Sequence, residues 1–349
     1  MTSFPFLIPG DIEQLSGGYG YARAVIAASK AGDDMPFERI GLPGDFPFPS
    51  ASSLDEAAVV LEALPADVPV LIDGLAFGAL DEATIRRCKA PIVVLLHHPL
   101  GLETGLTEEQ SRKLVERERE ALRHARHVVV TSHETARTVR SLFGLRDGMV
   151  SVALPGTPRR ARAKRQGRPP LIVSVGSLTP RKGHLDLVAA LERIADLDWR
   201  ARFAGSLTAS PETAAAVRGA IERAGLANRI DIAGGLTGVA LDDIYERASI
   251  FALASHYEGY GMVFAEALCS GLPIVGYSAG AVPDVVPPEA GILCPKGDVE
   301  ALAVALRRLL EDATLADSFA DAAYAAAQEL PDWDATTAIL LSTMRKVKP

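Results

Sequence analysis

Short apolar runs alternate with segments of helical periodicity in two successive sets along this chain. Parallel strands need a long crossover between them, and strands buried on both faces are apolar throughout. Each set therefore predicts an α/β unit, a parallel sheet covered on both faces by helices. The first set has predicted strands at 4–8, 37–42, 68–72, 91–96, 128–131 and 150–154, with helices at 19–29, 54–64, 81–89, 107–125 and 133–143. The second has predicted strands at 171–175, 202–204, 229–232, 250–252, 273–275 and 291–293, with helices at 184–195, 211–224, 241–247, 263–270 and 298–310.

The length of the chain agrees with two domains. At 349 residues it exceeds one ordinary core, since domains of about 150 residues are usual. We predict an N-terminal domain at 1–157 and a second domain at 171–331. Residues 158–170 lie between the two sets, carry many charges and show no apolar periodicity, so we interpret them as a solvated linker. Its basic residues are Arg159, Arg160, Arg162, Lys164, Arg165 and Arg168.

Composition excludes several classes of protein. Apolar residues make up 48% and charged residues 23%, as in soluble globular proteins, and the net charge of -8 argues against nucleic-acid binding. The three cysteines, Cys88, Cys269 and Cys294, lie far apart, so we expect buried thiols in a reducing compartment. The first residues lack a signal-peptide pattern, and no run approaches the ~20 apolar residues that span a bilayer. We expect a cytoplasmic protein.

The segment 255–273 carries the strongest chemical signal. Glu258 lies in a turn whose Gly259 and Gly261 leave the backbone N–H groups accessible to a ligand. We expect a helix from Met262 or Val263, whose free N–H groups and dipole favour an anionic ligand. Glu266 then lies about one turn into that helix. Two carboxylates eight positions apart fit the hydroxyls of a ribose and of a hexose.

The second signal is the segment 173–183. A predicted strand ends at Gly176-Ser177, and Arg181 and Lys182 follow at the start of a helix. Cationic side chains there supplement backbone donors around a phosphate. The order of residues is not that of a P-loop.

Two glycine pairs and two histidines also follow predicted strands. Gly234-Gly235 ends the strand at 229–232, and Gly17-Gly18 lies in the loop immediately before the helix at 19–29. His97-His98 follows the strand at 91–96. Because ligands of open α/β sheets bind at the carboxyl ends of strands, we expect one of these histidines to reach the cleft.

The pattern of Glu258, seven intervening residues and Glu266, with glycines after the first Glu, resembles the signature of the family-4 glycosyltransferases. The segments around Gly176, Lys182 and Gly234 also match this family. The resemblance implies a GT-B fold, with two doubly wound Rossmann-like domains facing across a cleft and a C-terminal helix, 332–349, that crosses back to the first domain. It also implies a cytoplasmic retaining hexosyltransferase for bacterial glycan or glycolipid synthesis.

The resemblance further implies roles for individual residues. The reaction would involve Arg181, Lys182, Glu258 and one histidine. For the histidine we prefer His98 to His97, a choice that the sequence leaves open. The two cations would bind the donor diphosphate, and Glu258 would bind the sugar. No metal or other cofactor is expected. The donor-binding residues would be Gly17, Gly18, Gly176, Ser177, Gly234, Gly235, Gly259, Tyr260, Gly261, Met262, Val263 and Glu266, the last on the ribose.

Ser177 is a departure from the family, many of whose members have arginine there. Because of this departure, a protein that binds a nucleotide sugar without turnover is an alternative function. A sugar-nucleotide epimerase shares the fold and is a further alternative. A metal-dependent GT-A enzyme would need an Asp-x-Asp pair; the candidates, 196–198 and 332–334, do not follow an apolar strand in a donor domain, so we discount it. The acceptor is expected to be a glycan or lipid-linked molecule. Peripheral contact of the protein with the inner face of the membrane is an alternative that the sequence does not decide.

Overall fold

A computed structural model describes residues 3–32 and 35–347 of the chain. The chain divides into two compact units, the first formed by Met1–Gly156 with Pro331–Pro349 and the second by Thr157–Leu330. Of the predicted C-terminal segment 332–349, residues 348 and 349 lie outside the described residues. Within the described ranges, no helix is both long enough and apolar enough to cross a membrane.

The first unit contains a six-stranded parallel sheet. Four of its strands, β1 and β3 to β5, are buried along almost their whole length, as expected for a sheet with helices on both faces. The strand order is β2-β1-β3-β4-β5-β6, so it reverses between β1 and β3. The strands are β1 (Phe4–Pro9), β2 (Phe37–Leu42), β3 (Val70–Asp73), β4 (Ile92–Leu96), β5 (His127–Val130) and β6 (Val150–Val152). The helices are α1 (Gly17–Gly32), α2 (Ala51–Glu62), α3 (Gly74–Phe77), α4 (Glu82–Ile85), α5 (Glu108–Leu122) and α6 (His133–Phe143).

The second unit repeats this plan. Its sheet is also parallel, in the order β12-β11-β10-β7-β8-β9, so the order reverses between β7 and β10. The strands are β7 (Leu171–Val175), β8 (Arg200–Ala204), β9 (Ile230–Gly234), β10 (Ile250–Leu253), β11 (Ile274–Tyr277) and β12 (Gly291–Cys294). The helices are α7 (His184–Glu192), α8 (Pro211–Arg223), α9 (Gly238–Arg247), α10 (Met262–Cys269), α11 (Val282–Val285), α12 (Val299–Glu311) and α13 (Ala313–Ala326).

The last helix, α14 (Trp333–Lys346), returns to the first unit, as the resemblance implied. Its Leu340 and Met344 are fully buried in the core beside β1. Trp333 packs edge-to-face on the ring of Tyr21 from α1, with centroids 5.3 Å apart. The apolar face of this helix therefore completes one side of the first sheet.

Three local predictions differ from the structure. The predicted helix at 81–89 is only the single turn α4, which Asp81 caps by accepting from the backbone N–H of Thr84. A four-residue helix, α3, follows β3 and was not predicted, because so short a segment has no visible periodicity. Gly17 and Gly18 begin α1 instead of lying in a loop before it.

The interpretation of 158–170 as a solvated linker is corrected by the structure. These residues belong to the second unit and lie along it. The backbone N–H of Ala163 donates to the carbonyl of Ser270, and that of Lys164 to the carbonyl of Glu246, at 2.8 and 3.0 Å. Arg159 donates to a backbone carbonyl of this unit, and Arg160, Arg162 and Arg165 form ion pairs with its carboxylates. The charges of the segment are therefore largely paired.

Candidate active site

The two strongest sequence motifs meet at one edge of the second sheet. β7 and β10 are adjacent and parallel, so their carboxyl ends lie side by side. The segment 176–183 leaves β7 and the segment 254–261 leaves β10. The strand order reverses between these two strands, which is the position where open α/β sheets bind ligands.

Arg181, Lys182 and Glu258 form an ion cluster at this position. Lys182 Nζ donates to Glu258 Oε1 at 2.7 Å, and Arg181 Nη1 lies 3.4 Å from Glu258 Oε2. Arg181 also donates to the carbonyl of Tyr257 at 2.8 Å, and Ser255 Oγ donates to Glu258 Oε1 at 2.5 Å. Glu258 is only 5% exposed. The sequence predicted all three charged residues, but not Ser255, which orients the carboxylate.

The charges of this cluster are unequal. Burial alone would raise the pKa of Glu258, but the charges of Lys182 and Arg181, together with hydrogen bonds from Lys182 and Ser255, hold its pKa below the usual range. The carboxyl is therefore ionised at neutral pH, and two cations with one anion leave a net charge of +1. A local positive site in a chain of net charge -8 favours an anionic ligand here.

Glycines allow the segments around the cluster to approach closely. Gly183 has a φ of +63°, and a Cβ there would overlap the carbonyl oxygen of Ala254 at the end of β10. Gly280, with a φ of +58°, lies against the backbone of Glu258 in the same way. Neither was predicted as a site residue. For Gly280, the available signal in the sequence was its position shortly after the apolar strand β11.

Glu266 lies on α10, the helix that follows the Glu258 loop. This helix begins at Met262, as predicted, with Gly261 before it at a φ of +98°. Tyr245 donates its hydroxyl to Glu266 Oε2 at 3.0 Å, and Arg160 Nη2 lies 3.6 Å from the same oxygen. Burial raises the pKa of Glu266, although Arg160 and the Tyr245 hydrogen bond oppose the rise.

The remaining predicted donor-binding residues of this unit lie at the same edge or near it. Gly176 and Ser177 form the turn after β7, and a Cβ on Gly176 would lie 3.3 Å from Lys182 Cδ. Gly234, with a φ of +72°, ends the outermost strand β9, and Gly235 follows. Gly205 follows β8, the strand between β7 and β9, and was not predicted as a site residue. A Cβ on Gly205 would overlap the carbonyl oxygen of Gly176. Gly259, Tyr260, Met262 and Val263 surround the start of α10.

In the first unit, His97 lies beside Gly18 and Asp73. A Cβ on Gly18 would lie 3.4 Å from His97 Cδ2, and His97 Nε2 is 3.7 Å from Asp73 Oδ2. The rings of His97 and Tyr21 are 5.3 Å apart. His98 is half-buried next in the chain, and its role stays a prediction. Asp73, which ends the apolar strand β3, was not predicted; its position at a carboxyl end was the available signal.

The two Asp-x-Asp candidates have structural partners. Asp196 accepts from Arg307 Nη2 at 2.6 Å, and Asp332 caps α14 by accepting from the N–H of Ala335 at 2.8 Å. Among residues 3–32 and 35–347, no group of three or more His, Cys, Asp or Glu side chains is placed to hold a metal ion.

Known proteins resemble this chain in sequence. Residues 157–326 match the family model described as Glycosyl transferases group 1. The MMP alpha-(1->4)-mannosyltransferase of Mycolicibacterium hassiacum is 26% identical over 317 residues, which cover 86% of this chain and 76% of that protein. Several other curated relatives are matched over about half of their own length.

Solved structures resemble it more completely. Sucrose-phosphate synthase from Thermosynechococcus elongatus superposes with a TM-score of 0.82 at 19% identity, covering 98% of each chain. Anabaena Alr3699/HepE in complex with UDP and glucose superposes with a TM-score of 0.77 at 18% identity, covering 99% of this chain and 100% of that one. At these identities the superpositions establish the fold, which is the GT-B fold that the resemblance implied.

Proposed function

Because the chain belongs, through residues 157–326, to the group 1 glycosyl transferases, we propose that it is a retaining enzyme that uses a nucleoside diphosphate sugar. It moves a hexose to an acceptor hydroxyl on a glycan or lipid-linked molecule, in the cytoplasm and in the synthesis of a bacterial glycan or glycolipid. Anabaena HepE binds UDP and glucose, and the mycobacterial relative is a mannosyltransferase. The first supports a nucleoside diphosphate in the site, and the second supports transfer of a hexose.

The observation that carries this proposal is the ion cluster at the reversal point of the second sheet. When the bond from the anomeric carbon to the phosphate oxygen breaks, negative charge grows on the diphosphate. Arg181 and Lys182 are already oriented by Glu258, at 3.4 and 2.7 Å, so little reorganisation is needed to stabilise that charge. The N-terminal turn of α10 adds backbone N–H donors.

The chemistry then needs no further reactant. The anomeric carbon loses its bond to the phosphate oxygen and gains one to the acceptor oxygen on the same face. The acceptor proton passes to the departing phosphate oxygen, so the products are the glycoside and the nucleoside diphosphate. Glu258 holds the sugar, Glu266 holds the ribose, and His98 contacts the donor sugar in this assignment.

The decisive experiment incubates the protein with a panel of nucleotide sugars and candidate acceptors and identifies the products. Release of nucleoside diphosphate together with an α-configured glycoside from an α-linked donor supports the proposal. A changed sugar still attached to its nucleotide indicates an epimerase. Binding of the donor without any product, for which Ser177 is the motivating residue, indicates a protein without turnover.

Glu266→Gln should weaken binding of the free nucleoside diphosphate, whereas Glu258→Gln should not. Glu266→Gln removes an ionised acceptor for the ribose hydroxyls and should weaken binding by about 10- to 100-fold, the value of a hydrogen bond to a charged group. Glu258→Gln raises the net charge of the ion cluster from +1 to +2 and should not weaken it. Calorimetric titration with UDP, GDP and ADP measures both. Equal weakening by the two variants would reject the assignment.

Transfer should continue in the presence of a chelator. The cations of the ion cluster occupy the position at which a metal would otherwise neutralise the diphosphate, so we expect turnover in EDTA within about twofold of the untreated rate. Initial rates with and without EDTA, with added Mn²⁺ and Mg²⁺ as a control, measure this. Loss of transfer that either metal restores would contradict the prediction.

A further inference from the structure

Arg160, in the basic segment 158–170, contacts Glu266 of the candidate site. We propose that Arg160 is a positioning residue that holds the Glu266 carboxylate in the orientation that binds the donor. This inference rests on the proposed function, because it assigns a supporting residue to the same site. Arg160 lies only four residues beyond Gly156, the last residue of the first unit in that part of the chain.

Arg160 links the two helices beside the site. Its side chain is only 10% exposed and forms ion pairs with Asp242 on α9 and Glu266 on α10. Its guanidinium lies over the ring of Tyr245, 4.9 Å from the centroid. Tyr245 in turn donates to Glu266 Oε2. Arg160 thus has a fixed place between a carboxylate on one helix, a ring, and the site carboxylate on the other.

The contacts of Glu266 leave one oxygen for a ligand. Arg160 Nη2 and Tyr245 Oη both approach Oε2, at 3.6 and 3.0 Å. With Oε2 engaged by these two groups, Oε1 is the oxygen that would accept a hydrogen bond from a hydroxyl of a bound molecule. The Glu266 side chain keeps 16% of its surface exposed, so it is reachable from solvent.

The electrostatics of this corner agree with such a role. Burial raises the pKa of Glu266, and Arg160 is the charge that opposes the rise. Asp242, Tyr245 and Cys269 also face this corner. Burial is the main cause that raises the pKa of Tyr245 and of Cys269. The charge of Arg159 lowers the pKa of Cys269, but less than burial raises it. Without Arg160, Glu266 would therefore take up a proton at higher pH and lose its value as an acceptor.

The chain offers a matched control two residues away. Arg162 also pairs with a carboxylate, Asp321, and also lies over a ring, that of Tyr324 at 5.4 Å. Neither contact involves Glu266, and the Arg162 side chain is 44% exposed. Arg160→Met and Arg162→Met thus remove the same types of contact, but only the first removes a partner of Glu266.

The experiment titrates UDP, GDP and ADP into the unchanged protein, Arg160→Met, Arg162→Met and Tyr245→Phe between pH 5.5 and 8.5. Arg160→Met should weaken binding of the preferred nucleotide about tenfold at pH 7. Its affinity should begin to fall, as the pH is lowered, at a higher pH than in the unchanged protein. Arg162→Met should show neither change, and Tyr245→Phe should show a smaller loss than Arg160→Met. Arg160→Lys should recover part of the affinity and shift the pH profile back.

The outcomes separate this inference from the proposed function. If Glu266→Gln weakens binding but folded Arg160→Met binds normally with an unshifted pH profile, the positioning role is wrong and the function stands. If Glu266→Gln itself has no effect, the assignment of the site fails first. If Arg160→Met does not fold, Arg160→Gln takes its place, because it also removes the charge. Normal affinity and an unshifted pH profile in folded Arg160→Gln would overturn the inference.

Discussion

Arg181→Ala should lower kcat by about 10² or more and change KM much less. The guanidinium lies at the carboxyl end of β7, where the structure already holds it against Tyr257 O and Glu258. Removing one preorganised group that stabilises developing charge costs about 10² to 10³ in turnover, and the loss falls on kcat when the interaction strengthens in the transition state. Initial rates over a range of donor concentrations measure both constants.

The control for Arg181→Ala is Arg202→Ala. Arg202 also pairs with a carboxylate, Asp231 at 3.1 Å, but lies on β8 away from the ion cluster, so kcat should stay within about twofold. Adding Ser177→Arg to Arg181→Ala should recover part of the loss, because Ser177 lies in the turn beside Lys182 and the change returns a guanidinium there. Normal turnover of Arg181→Ala at saturating donor would show that Arg181 has no catalytic role.

Gly183→Ala should destabilise the second unit by about 3–5 kcal/mol and abolish nucleotide binding. A left-handed backbone carries about 1–3 kcal/mol of strain for a residue other than glycine, and overpacking adds a similar amount. The added Cβ would overlap the carbonyl oxygen of Ala254 in the backbone of the neighbouring segment, which cannot move without displacing the end of β10. We expect a fall of about 10 °C in melting temperature, measured by circular dichroism.

Gly225→Ala is the matched control for Gly183→Ala. Gly225 has a similar φ, +69°, but no atom of the described chain outside its immediate neighbours lies within 4 Å of the added Cβ. Its cost should therefore be only the left-handed strain of about 1–2 kcal/mol. Similar melting temperatures for the two variants would mean that the packing at Gly183 is looser than the structure indicates.

Much of the fold was predictable because the strands are apolar on both faces. The predicted strand at 91–96 agrees with β4 at Ile92–Leu96, since its burial is complete and its composition therefore unambiguous. The prediction failed for short helices. α4 and α3 depend on single capping carboxylates, Asp81 and Asp73, which stabilise one turn each and leave no periodic pattern.

The site was predictable where its residues follow strands directly. Arg181, Lys182 and Glu258 follow adjacent strands, so their meeting follows from topology. Arg160 was not predictable, because a basic residue in a charged segment has no sequence signal for a partner more than a hundred positions away. Gly280 was missed for a similar reason, since its close approach to Glu258 depends on the spacing of two loops.

The second unit is an insertion in the first, because the first unit consists of Met1–Gly156 and Pro331–Pro349. A Cβ on Gly156 would overlap the backbone of Trp333, so the residues at which the chain leaves and re-enters the first unit touch. Within the second unit, Arg159 likewise donates to the carbonyl of Ala327 at 2.6 Å, so its two ends are joined as well. Each unit therefore closes on itself, and either could be separated genetically with a junction of a few residues, or exchanged for its counterpart from a relative, without opening a gap in the other.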